Sequence, residues 1–484
     1  MDFLLLTLIM PFTGALISYF FKDKNSGIFA VFFALITLCF SMLNVFSEVF
    51  YFPKVTYNLI SFNWLNSDFV FSLQNDALTS IMLILITVIG FFVVLYSYGY
   101  MSPKNADHPF HEPYGSYYFL ILLFIGAMVG IVSATNLLQV FFFWEITTLC
   151  SWALISYTKD QTATFSGLKA FIMTHIGGIC FLIALAMLYT QSKSFDFSAI
   201  SSLPQSSKFI VFALLFFAAS AKSAQVPLFT WLPDAMVAPT PVSAYLHAAA
   251  MVKAGVYLVA RLYLSNPDLS NYCAVLVGVV SVLTMIISVI LYYFQYDLKK
   301  ILAYSTIGHL GYILLGVSIG IFGSKTGAMG GIFHIINHGF AKGLLFLSVG
   351  AIAYATGSKS IQELGGLSSK FPLLSACFLV GMFSIVGVPP FSGFWSKFMI
   401  FTGAFENINT VVFGVIAILE SILAFCWYIF VGQKVFFGTP TQKVVLAKNE
   451  IPFSIKLSLI SLLILSLVSP LIGYPFVKAL FGGF

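Results

Sequence analysis

The sequence predicts an all-α polytopic membrane protein with about fourteen transmembrane helices. Hydrophobic residues make up 60% of the chain and charged residues only 8%, against roughly 25% charged in a soluble domain. Apolar runs near the ~20 residues needed to cross a bilayer recur from end to end. Short connections join them, so one membrane domain is expected where length alone would suggest several soluble ones.

The runs fall at roughly 3–21, 27–47, 77–98, 117–134, 136–157, 168–190, 208–232, 241–264, 271–295, 301–323, 328–355, 372–400, 409–433 and 453–474. The first starts at Phe3 without a basic stretch before it or a small-residue cleavage site after it. It is expected to be a retained span rather than a cleaved signal. Segments 48–76, with Asp68 and Asp76, and 99–116, with His108, His111 and Glu112, read as the longest loops. The segment 356–371 reads as a short surface helix ended by glycines, and 434–452 as a polar, lysine-rich connection.

Basic residues favour the loops after odd-numbered spans. Lys22, Lys24, Lys104, Lys159, Lys169, Lys299, Lys300, Lys359, Lys370, Lys434, Lys443, Lys448 and Lys456 lie there. Lys54, Lys193, Lys208, Arg261, Lys325 and Lys478 lie on the opposite side. The positive-inside rule then places the odd loops in the cytoplasm and both termini on the outer side of the cytoplasmic membrane. The remaining basic residues, Lys222, Lys253, Lys342 and Lys397, fall within spans.

The net charge of +6 is scattered and does not suggest nucleic-acid binding. Cys39, Cys150, Cys180, Cys273, Cys377 and Cys426 all sit in apolar runs without C-x-x-C spacing, which argues against disulfides, zinc and iron–sulfur ligation. No Gly-rich nucleotide loop is present, so no cofactor is expected.

The chain is organised around residues 221–255, AKSAQVPLFTWLPDAMVAPTPVSAYLHAAAMVKAG. Lys222 follows the run IVFALLFFAASA at membrane depth. An ammonium there costs about 2.5–3.5 kcal/mol on insertion scales, which makes it a functional candidate by default. Pro227 has no N–H, so the carbonyl of Ser223 should lose its helical partner and the helix should break. Gln225-Val-Pro-Leu-Phe229 is echoed by Gly387-Val-Pro-Pro-Phe391, where Pro389 and Pro390 interrupt another run. Paired broken helices are a device of ion and proton carriers.

Glu145, in NLLQVFFFWEITTLCSWALI, must be paired or protonated at that depth. It is read either as a structural ion pair or as a switchable partner of Lys222. Burial lowers a lysine's pKa and a nearby carboxylate raises it, so movement between the two would set proton affinity. Thr240 and Pro241 open the eighth span. His247 and Lys253, six residues apart, should stand about 120° apart on a regular helix and cannot both point the same way. Lys253 is the stronger candidate for a central relay. His247 is equally well read as a satisfied core histidine.

In GIFHIINHGFAKGLLFL, His334, His338 and Lys342 recur at i, i+4 and i+8, on one helix face. Histidine titrates near neutrality and can pass protons through either nitrogen. A metal is disfavoured, since the motif lacks a glutamate and a lysine shares the face. His309 and His175 read as packing or water-bound residues, and Asp234 as a cap or a water-facing residue in a turn. Lys397, in PPFSGFWSKFMIF, is read as a relay near the exit side or as a boundary anchor. Glu420 has no obvious partner, and an inter-subunit contact and a relay role stand equally.

At these motifs the chain resembles the antiporter-like membrane subunits of respiratory complex I, Mrp-type cation/proton antiporters and membrane-bound hydrogenases. WEITTLCSWALISY, AKSAQVPLFTWLPDAMVAPTPVSAYLHAA, MVKAGVYLVAR, DLKKILAYSTIGHLGY, FHIINHGFAKGLLFL and VPPFSGFWSKF carry the resemblance, from about residue 70 to 435. It implies fourteen helices in two inverted five-helix repeats, with the seventh and twelfth helices discontinuous. The division implied is 1–116 (helices one to three), 117–264 (first repeat), 265–435 (second repeat) and 436–484 (polar loop and last helix). It also implies a proton path from Glu145 and Lys222 through Lys253, then His334, His338 and Lys342, to Lys397. Some relatives use a histidine at the position of His247, others a lysine at that of Lys253; this chain has both.

The large complex I subunits of this type continue into a long lateral helix, whereas this chain ends shortly after its last run. A hydrogenase-type or Mrp-type relative, or a shortened form, is expected on that ground. The function implied is proton or cation translocation within a multi-subunit energy-coupling complex, with other membrane subunits as partners. The chain itself would hold no redox site, although the whole complex would be a redox-driven translocase. An Mrp-type Na⁺/H⁺ antiporter without a redox partner, and a proton-flux partner in inorganic-carbon uptake, are the alternatives. Sodium would need oxygen ligands, and lysines and histidines at mid-span favour protons.

Overall fold

A computed structural model describes residues 3–49, 55–64, 67–447 and 450–482. The chain begins with α1 (Phe3–Phe20) and α2 (Asn25–Val49), followed by strands β1 (Val55–Trp64) and β2 (Ser67–Asn75). Then come α3 (Ala77–Tyr100), α4 (Gly115–Ser133), α5 (Leu137–Ile155), α6 (Gln161–Ser192) and α7 (Gln205–Lys222). A short α8 (Trp231–Asp234) leads to α9 (Thr240–Ala248) and α10 (Met251–Ser265). The second half holds α11 (Asn271–Tyr292), α12 (Leu298–Ile321), α13 (Lys325–Thr356), α14 (Leu367–Lys370), α15 (Pro372–Val386) and α16 (Ser392–Ala404). It closes with α17 (Val411–Phe436), α18 (Gln442–Leu446) and α19 (Phe453–Leu480).

Among the described residues, twelve helical segments are long and apolar enough to cross a membrane, counting α9 and α10 as one. The polytopic helical class is thereby borne out. Side-chain caps set many helix starts: Asp76, Asn136, Asp160, Asp297 and Ser324 each accept from an N–H in the first turn. Each satisfies a donor that would otherwise be orphaned.

The helices sort by depth in the bundle. The spanning windows of α13 and of α9–α10 are buried along their whole length, and α12 and α3 nearly so. Helices α1, α2, α6, α17 and α19 expose much of their apolar surface. α13 packs against α3, α9, α12, α15, α16 and α19. Its polar residues are therefore held among protein groups, the only tolerable place for them at membrane depth.

Four expectations need correction. The stretch 48–76 is not all loop: β1 (55–64) and β2 (67–75) pair as antiparallel strands with a register shift between Asn58 and Ile60. The β-branched and aromatic residues of VTYNLISFNW favour a strand, and the aromatic richness masked that alternation. In 356–371 the glycines precede the only helical turn, α14. Gly357 and Gly366 take positive φ, 71° and 63°, and so turn the backbone before it.

The eighth span is interrupted between α9 and α10. The N–H groups of Ala249 and Ala250 both reach the Tyr245 carbonyl, and regular winding is lost. His247 and Lys253 therefore lie on separate helices, and the 120° spacing of a continuous helix does not govern them. Finally, Lys208, Arg261 and Lys299, assigned to loops, are buried within helices.

Candidate functional site: a buried lysine and histidine row

The two breaks expected at the proline motifs are present. α7 stops at Lys222, before Pro227 is reached, because Ala224 takes a left-handed backbone, φ 49°. The freed carbonyls find other donors. Gln225 Nε2 donates to the Ser223 carbonyl at 2.8 Å, and Trp231 Nε1 to the Ala221 carbonyl at 3.0 Å. At the second break α15 stops at Val386, and Gly387 caps it with φ 88°. Lys397 Nζ donates to the Val386 carbonyl at 3.2 Å. The negative end of a half-helix thus meets an amine.

Lys222 is fully buried. It donates to the Trp144 carbonyl at 2.6 Å and to Thr147 Oγ1, and it lies 4.7 Å from the Trp144 ring centroid. It makes no ion pair with Glu145. Instead Glu145 Oε2 lies 3.1 Å from Nδ1 of His175, with both side chains partly exposed on the outer face of α5 and α6. The reason is steric and local. Glu145 lies over Gly178, where a Cβ would come within 2.4 Å of its Oε1, so α6 receives the carboxylate. The expected direct pair is corrected: Lys222, at the end of α7, holds the carbonyl of Trp144, next to Glu145 on α5, while Glu145 itself turns to α6. His175, read from sequence as a lone residue, is the partner of Glu145.

His247 and Lys253 both face α13. The His247 ring lies 4.5 Å from that of Phe346, and neither of its nitrogens has a hydrogen-bond partner among the described residues. Lys253 Nζ lies 2.9 Å from Nδ1 of His338 and donates to the Ile335 carbonyl at 3.1 Å. His247 thus meets α13 from α9, and Lys253 meets it from α10.

The face predicted for α13 is buried and connected. His334 Nε2 lies 3.0 Å from Nδ1 of His309, and His334 Nδ1 lies 2.8 Å from Ser396 Oγ. The His309 and His338 rings are 5.4 Å apart. Lys342 Nζ donates to the Leu302 carbonyl and to Ser305 Oγ at 3.1 and 2.9 Å. His309 on α12 therefore joins the row, against the expectation that it stands alone. Lys397 also donates to Ser421 Oγ at 3.2 Å and lies 4.6 Å from the Tyr312 ring centroid.

None of Lys222, Lys253, Lys342 and Lys397 is ion-paired among the described residues. Their contacts are carbonyls, hydroxyls and imidazoles, so the row is rich in groups that can take up or release a proton. Asp234, by contrast, pairs with Lys169 at 2.6 Å near the surface. Among the described residues, no group of three His, Cys, Asp or Glu is placed to hold a metal ion.

Apolar helices broken beside two buried lysines, with further buried lysines and histidines on α10, α12 and α13, define a polytopic membrane protein of the kind ion carriers use. The chain belongs to the family described as NADH:quinone oxidoreductase/Mrp antiporter, transmembrane, which residues 134–424 match. Residues 63–110 match the complex I chain 5 N-terminus. The chain is 35% identical over 482 residues to Na(+)/H(+) antiporter subunit A1 of Staphylococcus haemolyticus, covering 90% of this chain and 57% of that protein. It is 36% identical over 430 residues to the chloroplastic NAD(P)H-quinone oxidoreductase subunit 5 of Chara vulgaris, covering 82% and 62%. It therefore spans little more than half of the curated relatives it matches.

A chain of the Mrp complex from Dietzia sp. DQ12-45-1b superposes with a TM-score of 0.83 at 28% identity, over 99% of this chain and 52% of that one. A chain of an archaeal membrane-bound sulfane sulfur reductase shares the fold, with a TM-score of 0.83 at 23% identity, over 99% and 96%.

Proposed function

We propose that the protein translocates protons, or exchanges a cation for protons, as the antiporter-like subunit of a multi-subunit energy-coupling complex in the cytoplasmic membrane. The observation that carries this is the buried row. Lys253–His338 and His309–His334 are hydrogen-bonded pairs set side by side at mid-bundle. Lys222 lies at one broken helix and Lys397 at the other. Water bridging the unpartnered nitrogens of His247 and His338 would complete the path, as buried polar groups require partners. The relay runs from Glu145 and Lys222 through Lys253, with His247 beside it, then His334, His338 and Lys342, to Lys397. Movement of Glu145 from His175 towards Lys222 would load it.

The two interrupted segments, α7–α8 and α15–α16, are taken as spans. With the twelve long helical segments they give the count of fourteen, and the two five-helix repeats fall at 117–264 and 265–435. Both termini lie outside in this arrangement. Energy reaches the chain through neighbouring membrane subunits, and protons are the ion favoured by a lining of amines and imidazoles. A second reading is an Mrp-type Na⁺/H⁺ antiporter without a redox partner, supported by the name of the relative at 35% identity.

The test is ion translocation by inside-out membrane vesicles containing the whole complex. Lys222→Ala and Glu145→Ala should each abolish it with the complex assembled. Normal translocation in either variant refutes the assigned role. Dependence on added sodium, with no redox subunits co-purifying, would select the second reading.

A further inference from the structure

Glu420 on α17 lies outside the relay just described, yet its carboxylate turns towards it. The residue is buried, although Leu419, Ile422 and Leu423 beside it are exposed on the outer face of α17. Tyr312 Oη on α12 donates to Glu420 Oε2 at 2.5 Å. Gly308, one turn earlier on α12, faces the other oxygen: a Cβ there would stand 3.4 Å from Oε1, an ordinary contact distance. The Tyr312 ring is 5.6 Å from His309 and 6.0 Å from His334. Lys397 lies over its face and donates to Ser421, the next residue on α17. A carboxylate at this depth is costly unless it is paired or protonated.

We infer that Glu420 is a proton-carrying member of the translocation path and receives the proton that Lys397 releases, with Tyr312 holding its carboxylate in place. This deepens the proposed relay and rests on it. In the step, an N–H bond of the Lys397 ammonium breaks and an O–H bond forms on Glu420. The amine and the carboxyl group are both left neutral, so neither charge remains buried and unpaired. The carboxyl group then loses the proton to water on the far side. The amine is free to take another from the histidine row.

The test uses inside-out vesicles holding the complete complex, with subunit content matched by immunoblot. Glu420→Gln keeps the size and the acceptor for Tyr312 but cannot ionise. Translocation should fall by roughly a hundredfold or more, the scale of a lost acid–base group. Glu420→Asp should recover part of the rate, which a purely structural role does not predict. Native translocation in Glu420→Gln, with Lys397→Ala inactive, overturns the inference and leaves the relay standing. Native translocation in both Lys397→Ala and Lys253→Ala overturns the relay and the inference together. Should Glu420→Gln fail to assemble, Tyr312→Phe carries the same test: a slowed, assembled complex supports the assignment, and a native rate overturns it.

Discussion

At the scale of single residues, the ionisable groups divide by what they touch. Arg261 is held by both oxygens of Asp76 and by Thr79 Oγ1, and it stacks near Tyr257. That pair is structural: Asp76 caps α3 and Arg261 anchors α10 to it. Arg261→Ala would leave a partly buried carboxylate without its partner, at a cost of up to about 3 kcal/mol. Lower thermal stability of the solubilised complex should report it. The lysines of the proposed relay lack such partners, the difference expected between a strut and a carrier. In that proposal His309 stands with the carriers, since it touches His334 and His338 at once. His309→Ala should slow translocation by roughly a hundredfold or more, measured in vesicles, with assembly retained. A single imidazole in an apolar run gave no hint of this, because the contact is made across two helices.

At the scale of elements, the breaks place the chemistry. Proline motifs mark their neighbourhoods, yet each helix ends before the first proline, at Lys222 and at Val386. The close approach of α15 and α16 depends on glycine. A Cβ on Gly393 would lie 1.9 Å from the Ser384 carbonyl oxygen, which is backbone and cannot swing aside. Gly393→Ala should therefore displace α16, and Lys397 with it. The expected outcome is loss of translocation together with reduced subunit accumulation, read by immunoblot of membranes. The third interruption, between α9 and α10, carries no proline or glycine at Ala248, Ala249 or Ala250. It has no local signal, and only the packing of both short helices against neighbours reveals it.

At the scale of the whole molecule, burial and charge together order the bundle. α13, α12 and α9–α10, which carry the buried amines and imidazoles, lie within together with the apolar α3, while α1, α2, α17 and α19 turn apolar surface outward. The proposed orientation is open to a direct check. In a chain without its native cysteines, Ile408→Cys, in the exposed turn after α16, should react with a membrane-impermeant maleimide from outside intact cells. Thr439→Cys, after α17, should react only in inside-out vesicles. The reverse pattern would invert the topology.

The helical membrane class, the span positions, the two proline breaks and the face formed by His334, His338 and Lys342 follow from sequence. Each depends on composition or on spacing along one segment. The Glu145–His175 pairing, the place of His309 and the inward turn of Glu420 join residues on different helices. So do the contacts of His247 and Lys253 with α13. Such contacts are fixed by which helix faces pack together and how closely, a property of the assembled bundle that no single stretch of chain encodes.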